Sequence, residues 1–363
     1  MLKRYPNLAV NMKKMRNNAK VIHDICEDNG IELACVIKGF NGIPEVAEEM
    51  VKSGCRQLGS SRMEQLREIK LRGLGIDTLL LRIPMLSEAE LVVKYADISL
   101  NSQKEVLDSL NDLALEYGIR HRVILMRDLG DLREGLFDRQ SLTELAVYVE
   151  NELTGIILEG IGANLSCYGS IMPSEDNLNE LVANAEDIEN IIGRELKYIS
   201  GGATTTLPLL YSGKLPERIN HLRVGEGIIC ALDLPLYWDT EIDGLETGVF
   251  RIEAEVIEVE KKPTYPIGIK CVNAFGETPE YNDRGIRSRA LLAIGNKDVG
   301  SYTALLPIED GIELVGASSD HLIIDIENAK REIKLGDIVE FDLFYQGVLF
   351  ASDRCFMNIE LNY

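Results

Sequence analysis

The chain has 363 residues, a length that predicts two domains or one large barrel with an appended segment. Its 38 Lys and Arg residues against 59 Asp and Glu residues give a net charge of −21, which argues against binding to nucleic acid or to an anionic membrane. No apolar run approaches the roughly 20 residues of a membrane span, and the amino terminus lacks the pattern of a secretory signal. The sequence therefore predicts a cytoplasmic protein.

The cysteine pattern agrees with a reducing compartment such as the cytoplasm. Seven occur, an odd number, and none forms a C-x-x-C pair, so they predict reduced thiols in the core and neither a disulfide framework nor a zinc site. They are Cys26, Cys35, Cys55, Cys167, Cys230, Cys271 and Cys355.

Eight short apolar runs alternate with longer amphipathic segments over the first two thirds of the chain. The runs are residues 31–37, 56–60, 78–83, 96–101, 122–128, 155–163, 197–202 and 220–225. Continuous apolar runs with spacers of crossover length are typical of parallel strands that are covered on both faces. Eight such units predict an α/β fold with a (β/α)8 TIM barrel over residues 1–240.

The predicted helices have local support. Residues 11–29 place a stripe of apolar side chains on one face, with Asn11 as the cap and Gly30 as the stop. A repeated S-x-x-E pattern predicts capping boxes at four further helix starts. The pairs are Ser61/Glu64, Ser87/Glu90, Ser102/Glu105 and Ser141/Glu144.

The alternation of apolar runs with amphipathic segments ends near residues 239–247. From there, alternating strands follow one another without helices between them, which predicts a mostly-β domain over residues 241–363. The last two predicted strands are DIVEFDLFY (337–345) and VLFASD (348–353).

The active face of such a barrel lies at the carboxyl ends of its strands. Lys38 directly follows the first apolar run, where low polarity would make its amine nucleophilic and able to form a Schiff base; the alternative is a solvated lysine at a strand end. Across the mouth, ISGGATTT (199–206) and RVGEG (223–227) offer backbone N–H groups to an anion. A lysine together with a phosphate loop describes a site for pyridoxal phosphate.

These segments carry a resemblance to a known family. ACVIKGF, ISGGATTT and LRVGEGI resemble the lysine, phosphate-loop and arginine strands of the fold-type III pyridoxal-phosphate enzymes, the alanine racemase superfamily with its ornithine racemase branch. The resemblance extends over essentially the whole chain. It implies a homodimeric isomerase that interconverts L- and D-amino acids with pyridoxal 5'-phosphate.

The resemblance also implies roles for individual residues. Lys38 would bind the cofactor covalently and serve as one of two bases, and Arg223 would face the pyridine nitrogen. Arg133 would hold the substrate carboxylate or tune the hydrogen bonds of the site. Asn164 falls where alanine racemases carry a histidine beside the cofactor ring. The implied phosphate contacts are Ser200, Gly201, Gly202, Thr204 and Gly225, with Tyr345 as a later one.

The β-rich part departs from the alanine racemase pattern. Asn296 stands where those enzymes have a catalytic tyrosine, and an amide cannot act as a base. The second base is therefore expected elsewhere, with Cys167 and Tyr168 ahead of Tyr302 and His321. Ser319, followed by Asp320, replaces a Met-Asp pair and is expected to contact the substrate.

Other functions are less compatible with the sequence. The four histidines lack a nucleophile elbow, and the chain has no zinc-protease pattern, which argues against a hydrolase triad or a metal centre. Two readings within the superfamily stay open, a cofactor-homeostasis protein and a related aldolase or decarboxylase. The resemblance allows alanine, ornithine, lysine or serine as substrate, and loss of the tyrosine favours the ornithine-like branch.

Overall fold

A computed structural model describes residues 3–273, 275–353 and 357–363, so Cys355 lies outside the described residues. Contacts divide the chain into two compact units. One is Met15–Glu246, and the other combines the residues up to Lys14 with Thr247–Tyr363. In the part of the chain that is described, no helix is long and apolar enough to cross a membrane.

Strands and helices alternate through the first unit. The strands of the whole chain are β1 (Asn7–Asn11), β2 (Glu32–Val36), β3 (Gln57–Ser60), β4 (Asp77–Leu80), β5 (Ile98–Asn101), β6 (His121–Arg127), β7 (Ile156–Ala163), β8 (Tyr198–Ser200), β9 (His221–Val224), β10 (Phe250–Pro263), β11 (Ile286–Leu292), β12 (Leu305–Pro307), β13 (Glu313–Ala317), β14 (Leu322–Asp325), β15 (Ile338–Leu343) and β16 (Asn358–Asn362). The α-helices are α1 (Met12–Asp28), α2 (Pro44–Lys52), α3 (Met63–Arg72), α4 (Ala89–Tyr95), α5 (Lys104–Glu116), α6 (Arg139–Glu152), α7 (Glu175–Ile192), α8 (Leu207–Tyr211), α9 (Glu226–Ile229), α10 (Asp233–Tyr237), α11 (Asn296–Val299) and α12 (Tyr345–Ala351).

Strands β2 to β9 form a closed parallel barrel in sequence order, which confirms the predicted (β/α)8 architecture. Every residue of β3, β5 and β9 is buried, as expected where helices cover the outer face and side chains fill the interior. The interior cluster consists of Ala34, Leu79, Ile98, Leu100, Ile124, Met126 and Tyr198.

Helix α1 has the predicted form. Its apolar stripe is buried, the side chain of Asn11 accepts a hydrogen bond from the amide of Lys14 at 3.0 Å, and Gly30 follows the helix with a φ of 70°. Asn11 therefore caps the first turn, as expected of this residue type.

The four predicted S-x-x-E boxes are wrong. Their serines do not cap the helices; Ser141, for example, lies inside α6, whose cap is Asp138. The carboxylate of Asp138 accepts from the amide and the hydroxyl of Ser141 at 2.7 and 2.8 Å, so a charged acceptor has taken the cap position. A capping box that the sequence analysis missed forms between Ser174 and Asn177 at the start of α7.

The second unit is mostly β, as predicted. Its antiparallel sheet has the order β12-β15-β10-β11-β14-β13, and β1 joins it by pairing with β10 and, in parallel, with β16. The expected domain of residues 1–240 placed β1 with the barrel, whereas these pairings place it in the β unit. The division of the chain into domains at residues 240 and 241 otherwise stays a prediction.

Two further expectations differ from the structure. The segment 348–353 was predicted as a strand but belongs largely to α12, where Val348 and Ala351 are buried while Leu349 and Phe350 are exposed, a helical period. Cys167 and Cys271 are exposed and are not core thiols, unlike the other described cysteines.

Candidate active site

Lys38 lies at the carboxyl end of β2, where the chain turns into a short 3-10 helix. Its side chain is partly buried, and burial lowers the pKa of its amine. Smaller electrostatic influences on this amine come from Cys167, Arg133, Glu134 and Arg223. The barrel thus brings Lys38 together with groups that follow β6 and β7 and with one on β9.

Arg223 on β9 is a buried cation that is held by neutral groups. Its guanidinium contacts the hydroxyl of Ser200 and donates to the carbonyl oxygen of Ala163 at 2.7 Å. Burial lowers the pKa of Arg223 to about 10, so the group remains protonated at neutral pH. A fixed positive charge therefore faces the interior of the barrel mouth.

A hydrogen-bond relay behind Ser200 fixes that arginine. The hydroxyl of Ser200 lies 2.6 Å from Nδ1 of His221, and Nε2 of His221 lies 2.9 Å from Oε1 of Gln57. Burial lowers the pKa of His221 to about 3, so the ring is neutral. Because the amide oxygen of Gln57 needs a donor, we assign the ring proton to Nε2; Nδ1 then accepts from Ser200, whose oxygen accepts from Arg223. The sequence analysis had not given His221 a role in the site.

This relay predicts a pH dependence of stability. An unfolded histidine has a pKa of about 6.5, so between that value and about 3 the unfolded state binds a proton that folded His221 does not. The contribution of His221 to the free energy of unfolding is therefore fully present above about pH 6.5 and decreases at lower pH. At pH 5 the loss from this group is about 2 kcal/mol. Denaturant titrations at pH 7 and pH 5 should show a smaller loss in His221→Gln than in the parent protein. An equal loss in both would contradict a neutral, buried His221.

The predicted phosphate loop is compact. A Cβ added at Gly201 would lie 2.5 Å from the side chain of Ile219, and one at Gly202, whose φ is 117°, would lie 2.6 Å from Thr206. The hydroxyl of Thr204 accepts from the amide of Gly227 at 3.1 Å and so ties this loop to the one after β9. Both glycines are thus required by close packing of the protein itself.

Gly225 and Asn164 follow the strands that carry Arg223 and its partner Ala163. Gly225 lies against β2, since an added Cβ would be 3.0 Å from that of Val36. Asn164 follows β7, and its buried Nδ2 has no hydrogen-bond partner among the described residues. An unsatisfied buried donor costs about 1–3 kcal/mol, so this amide fits a site that a polar ligand completes.

Arg133 lies beside Lys38, but a carboxylate already meets it. Its Nη2 donates to Oε1 of Glu134 at 2.5 Å, and Cys167 exerts a smaller electrostatic influence on it. Glu134, the largest influence, raises the pKa of Arg133. The predicted contact of Arg133 with a substrate carboxylate stays a prediction.

Asp131, which the sequence analysis missed, holds the loop of Cys167 and Tyr168. It is 1% exposed, and its carboxylate accepts from the amides of Cys167, Tyr168 and Ile171 at 3.3, 3.0 and 3.4 Å. The loop after β7 is thereby bound to the loop after β6. Within it, both residues are exposed, Tyr168 at 73%, and Cys167 interacts electrostatically with Arg133.

Asp131→Asn should loosen this loop, because an amide group has one acceptor oxygen in place of two. Loss of one or two such bonds predicts about tenfold faster hydrogen exchange of the amides of residues 167–171. Asp243→Asn, at an exposed position of the same unit, is the control. Unchanged hydrogen exchange of these amides in Asp131→Asn would contradict the role of Asp131 in holding the loop.

The comparison with protein families agrees with this geometry. The model of the alanine racemase N-terminal domain matches residues 10–232, well over half of the chain. The chain belongs to the alanine racemase family. The resemblance inferred from Lys38, the glycine loop and Arg223 is thereby confirmed at the level of the family.

Two similar proteins match this chain over nearly its full length. The ornithine racemase of Acetoanaerobium sticklandii is 40% identical over 95% of this chain and 96% of its own. The lysine racemase of Thermotoga maritima is 36% identical over 97% of each. Among solved structures, alanine racemase from Streptomyces lavendulae has a TM-score of 0.74 at 14% identity and covers 100% of this chain and 98% of that one. At this identity the likeness concerns the fold.

The β unit contains the remaining predicted residues of this alanine racemase family member. Asn296 begins α11, and its side-chain oxygen accepts from the amide of Tyr302 at 2.8 Å, which is a structural use. Ser319 donates to Asp320 at 2.5 Å, and Tyr345 begins α12. Their predicted contacts with substrate and phosphate, and the second-base alternatives Tyr302 and His321, stay predictions.

Proposed function

We propose that this protein is a pyridoxal-phosphate-dependent racemase of a basic amino acid. The observation that carries the proposal is the partly buried amine of Lys38, with a lowered pKa, in the same barrel mouth as the buried Arg223. Family membership supports the reaction class, and the names of the two near full-length relatives support ornithine or lysine as the substrate.

The residues of the mouth fit the cofactor. Lys38 would hold it covalently, the unpartnered Nδ2 of Asn164 would donate to it, and Arg223 would face its pyridine nitrogen. Bound pyridoxal phosphate withdraws electrons from the α-carbon of an attached amino acid and so acidifies its α-hydrogen. The groups proposed to hold the phosphate are Ser200, Gly201, Gly202, Thr204 and Gly225, with Tyr345 from the β unit.

Arg223 is suited to this position because of its surroundings. The hydroxyl of Ser200 and the carbonyl of Ala163 fix the guanidinium without neutralising it. A guanidinium also retains its proton at neutral pH and does not pass it to a ring nitrogen. The arginine therefore contributes a hydrogen bond and a charge while it leaves proton transfer to other groups.

Racemisation needs proton transfer on both faces of the α-carbon, and Lys38 can serve one face. For the other face we propose Cys167. Cys167 interacts electrostatically with both Lys38 and Arg133, while Tyr168 is largely exposed. Arg133 would orient the substrate carboxylate, and Ser319 would contact the substrate. The working assembly we propose is a homodimer, the commonest symmetric form.

Lys38→Ala should abolish activity. When the parent protein, loaded with pyridoxal phosphate, acts on L-ornithine or L-lysine in D2O, the optical rotation of the amino acid should decay. The product should carry one deuterium at the α-carbon. Lys38→Ala should give neither result, because it lacks both the covalent anchor and one base. Lys214→Ala, at an exposed lysine of the barrel unit, should behave like the parent. Release of carbon dioxide or an aldehyde by the parent would instead identify a decarboxylase or an aldolase.

Cys167→Ala should lose proton transfer on one face of the α-carbon and keep it on the other. Racemisation should fall about 100-fold or more, the usual contribution of a positioned acid or base. Deuterium should still enter one enantiomer, with retention, through Lys38, and should no longer enter the other. Tyr168→Phe is the neighbouring control and should keep exchange from both enantiomers. Symmetric exchange at the parent rate in Cys167→Ala would reject Cys167 as the second base.

A further inference from the structure

The segment between β6 and α6 carries four carboxylates. Asp138 caps α6, and backbone amides engage two of the other three. Asp128 is 7% exposed, and its Oδ1 accepts from the amides of Gly130 and Leu132 at 2.9 and 3.1 Å. Asp131 is buried and ties the loop of Cys167, as described above. These two carboxylates therefore serve the architecture of the mouth.

Glu134 differs from both because its carboxylate meets a side chain. It bonds the guanidinium of Arg133, and 18% of its side chain is exposed. Its negative charge also raises the pKa of Lys38 and of Arg223, in opposition to the burial of each. Glu134 is therefore a partly accessible anion that stabilises the charged forms of the cations at the mouth.

The pair with Arg133 leaves Glu134 able to bind a second cation. A carboxylate has about four lone-pair sites, and one guanidinium fork uses two of them. The side chain of Arg133 is 40% exposed and that of Glu134 18%, so the carboxylate is reachable from the solvent while it bonds Arg133. A second cation can therefore share the carboxylate without displacing Arg133.

A substrate with a second ammonium group needs such an anion. In the mouth it would meet the positive charges of Arg133 and Arg223 and the amine of Lys38, and like charges at short range in a partly buried site repel strongly. A carboxylate that is placed among these cations offsets the repulsion. A neutral side chain has no such requirement.

We propose that Glu134 is a specificity-determining residue that receives the side-chain ammonium of a dibasic substrate. The inference rests on the proposed racemase function and deepens it. It assigns the preference for a cationic side chain to one carboxylate of this chain.

The test compares each dibasic amino acid with its analogue that lacks the ammonium group: ornithine with norvaline, and lysine with norleucine. In Glu134→Gln, kcat/KM for the dibasic member should fall about 30-fold or more, while that for the neutral member changes less than about threefold. The affinity for α-methylornithine, which has no α-hydrogen and cannot racemise, should fall in parallel by calorimetry. Glu134→Asp should recover part of the preference.

Glu116→Gln, at an exposed glutamate near the end of α5, is the matched control and should behave like the parent. Equal losses for the dibasic and neutral substrates in Glu134→Gln would show that Glu134 only positions Arg133, and would overturn the inference while the racemase proposal stands. A parent enzyme that prefers norvaline to ornithine would overturn it in the same way. A parent that racemises none of the four amino acids would overturn the proposed function and this inference with it.

Discussion

The pairing of β2 with β9 closes the barrel, and the whole candidate site depends on that closure. Ala34 pairs with Arg223 and Cys35 with Val224, so the strand that leads to Lys38 lies beside the strand that carries the buried arginine. Because all eight strands are parallel, the loops after β6, β7 and β8 open at the same end. Groups that are far apart in sequence thereby share one mouth.

Electrostatics at that mouth follow from burial. Lys38 and Arg223 both have lowered pKa values because the barrel removes them from water, and Arg223 contacts neutral oxygens. The relay through Ser200 to His221 supplies an acceptor to the arginine without supplying a negative charge. Positive charge therefore remains available to an anionic ligand. The negative charge of Glu134 offsets part of it.

Local sequence patterns predicted the parts of the structure that depend on neighbours in the chain. The eight apolar runs became β2 to β9, and the strand-end positions of Lys38 and Arg223 followed from them. Long-range contacts were not predictable in this way. The pairing of β1 with β10 and β16, and the bonds from Asp131 to the loop of Cys167, join segments whose proximity only the closed fold creates.

We propose that closure of the barrel makes Lys38 the amine that binds the cofactor. Borohydride reduction of the protein loaded with pyridoxal phosphate, followed by proteolysis and mass spectrometry of the labelled peptides, tests it most directly. One stoichiometric pyridoxyl adduct is expected, on the peptide that contains Lys38. An adduct on another lysine, or label spread over several exposed lysines, would contradict it.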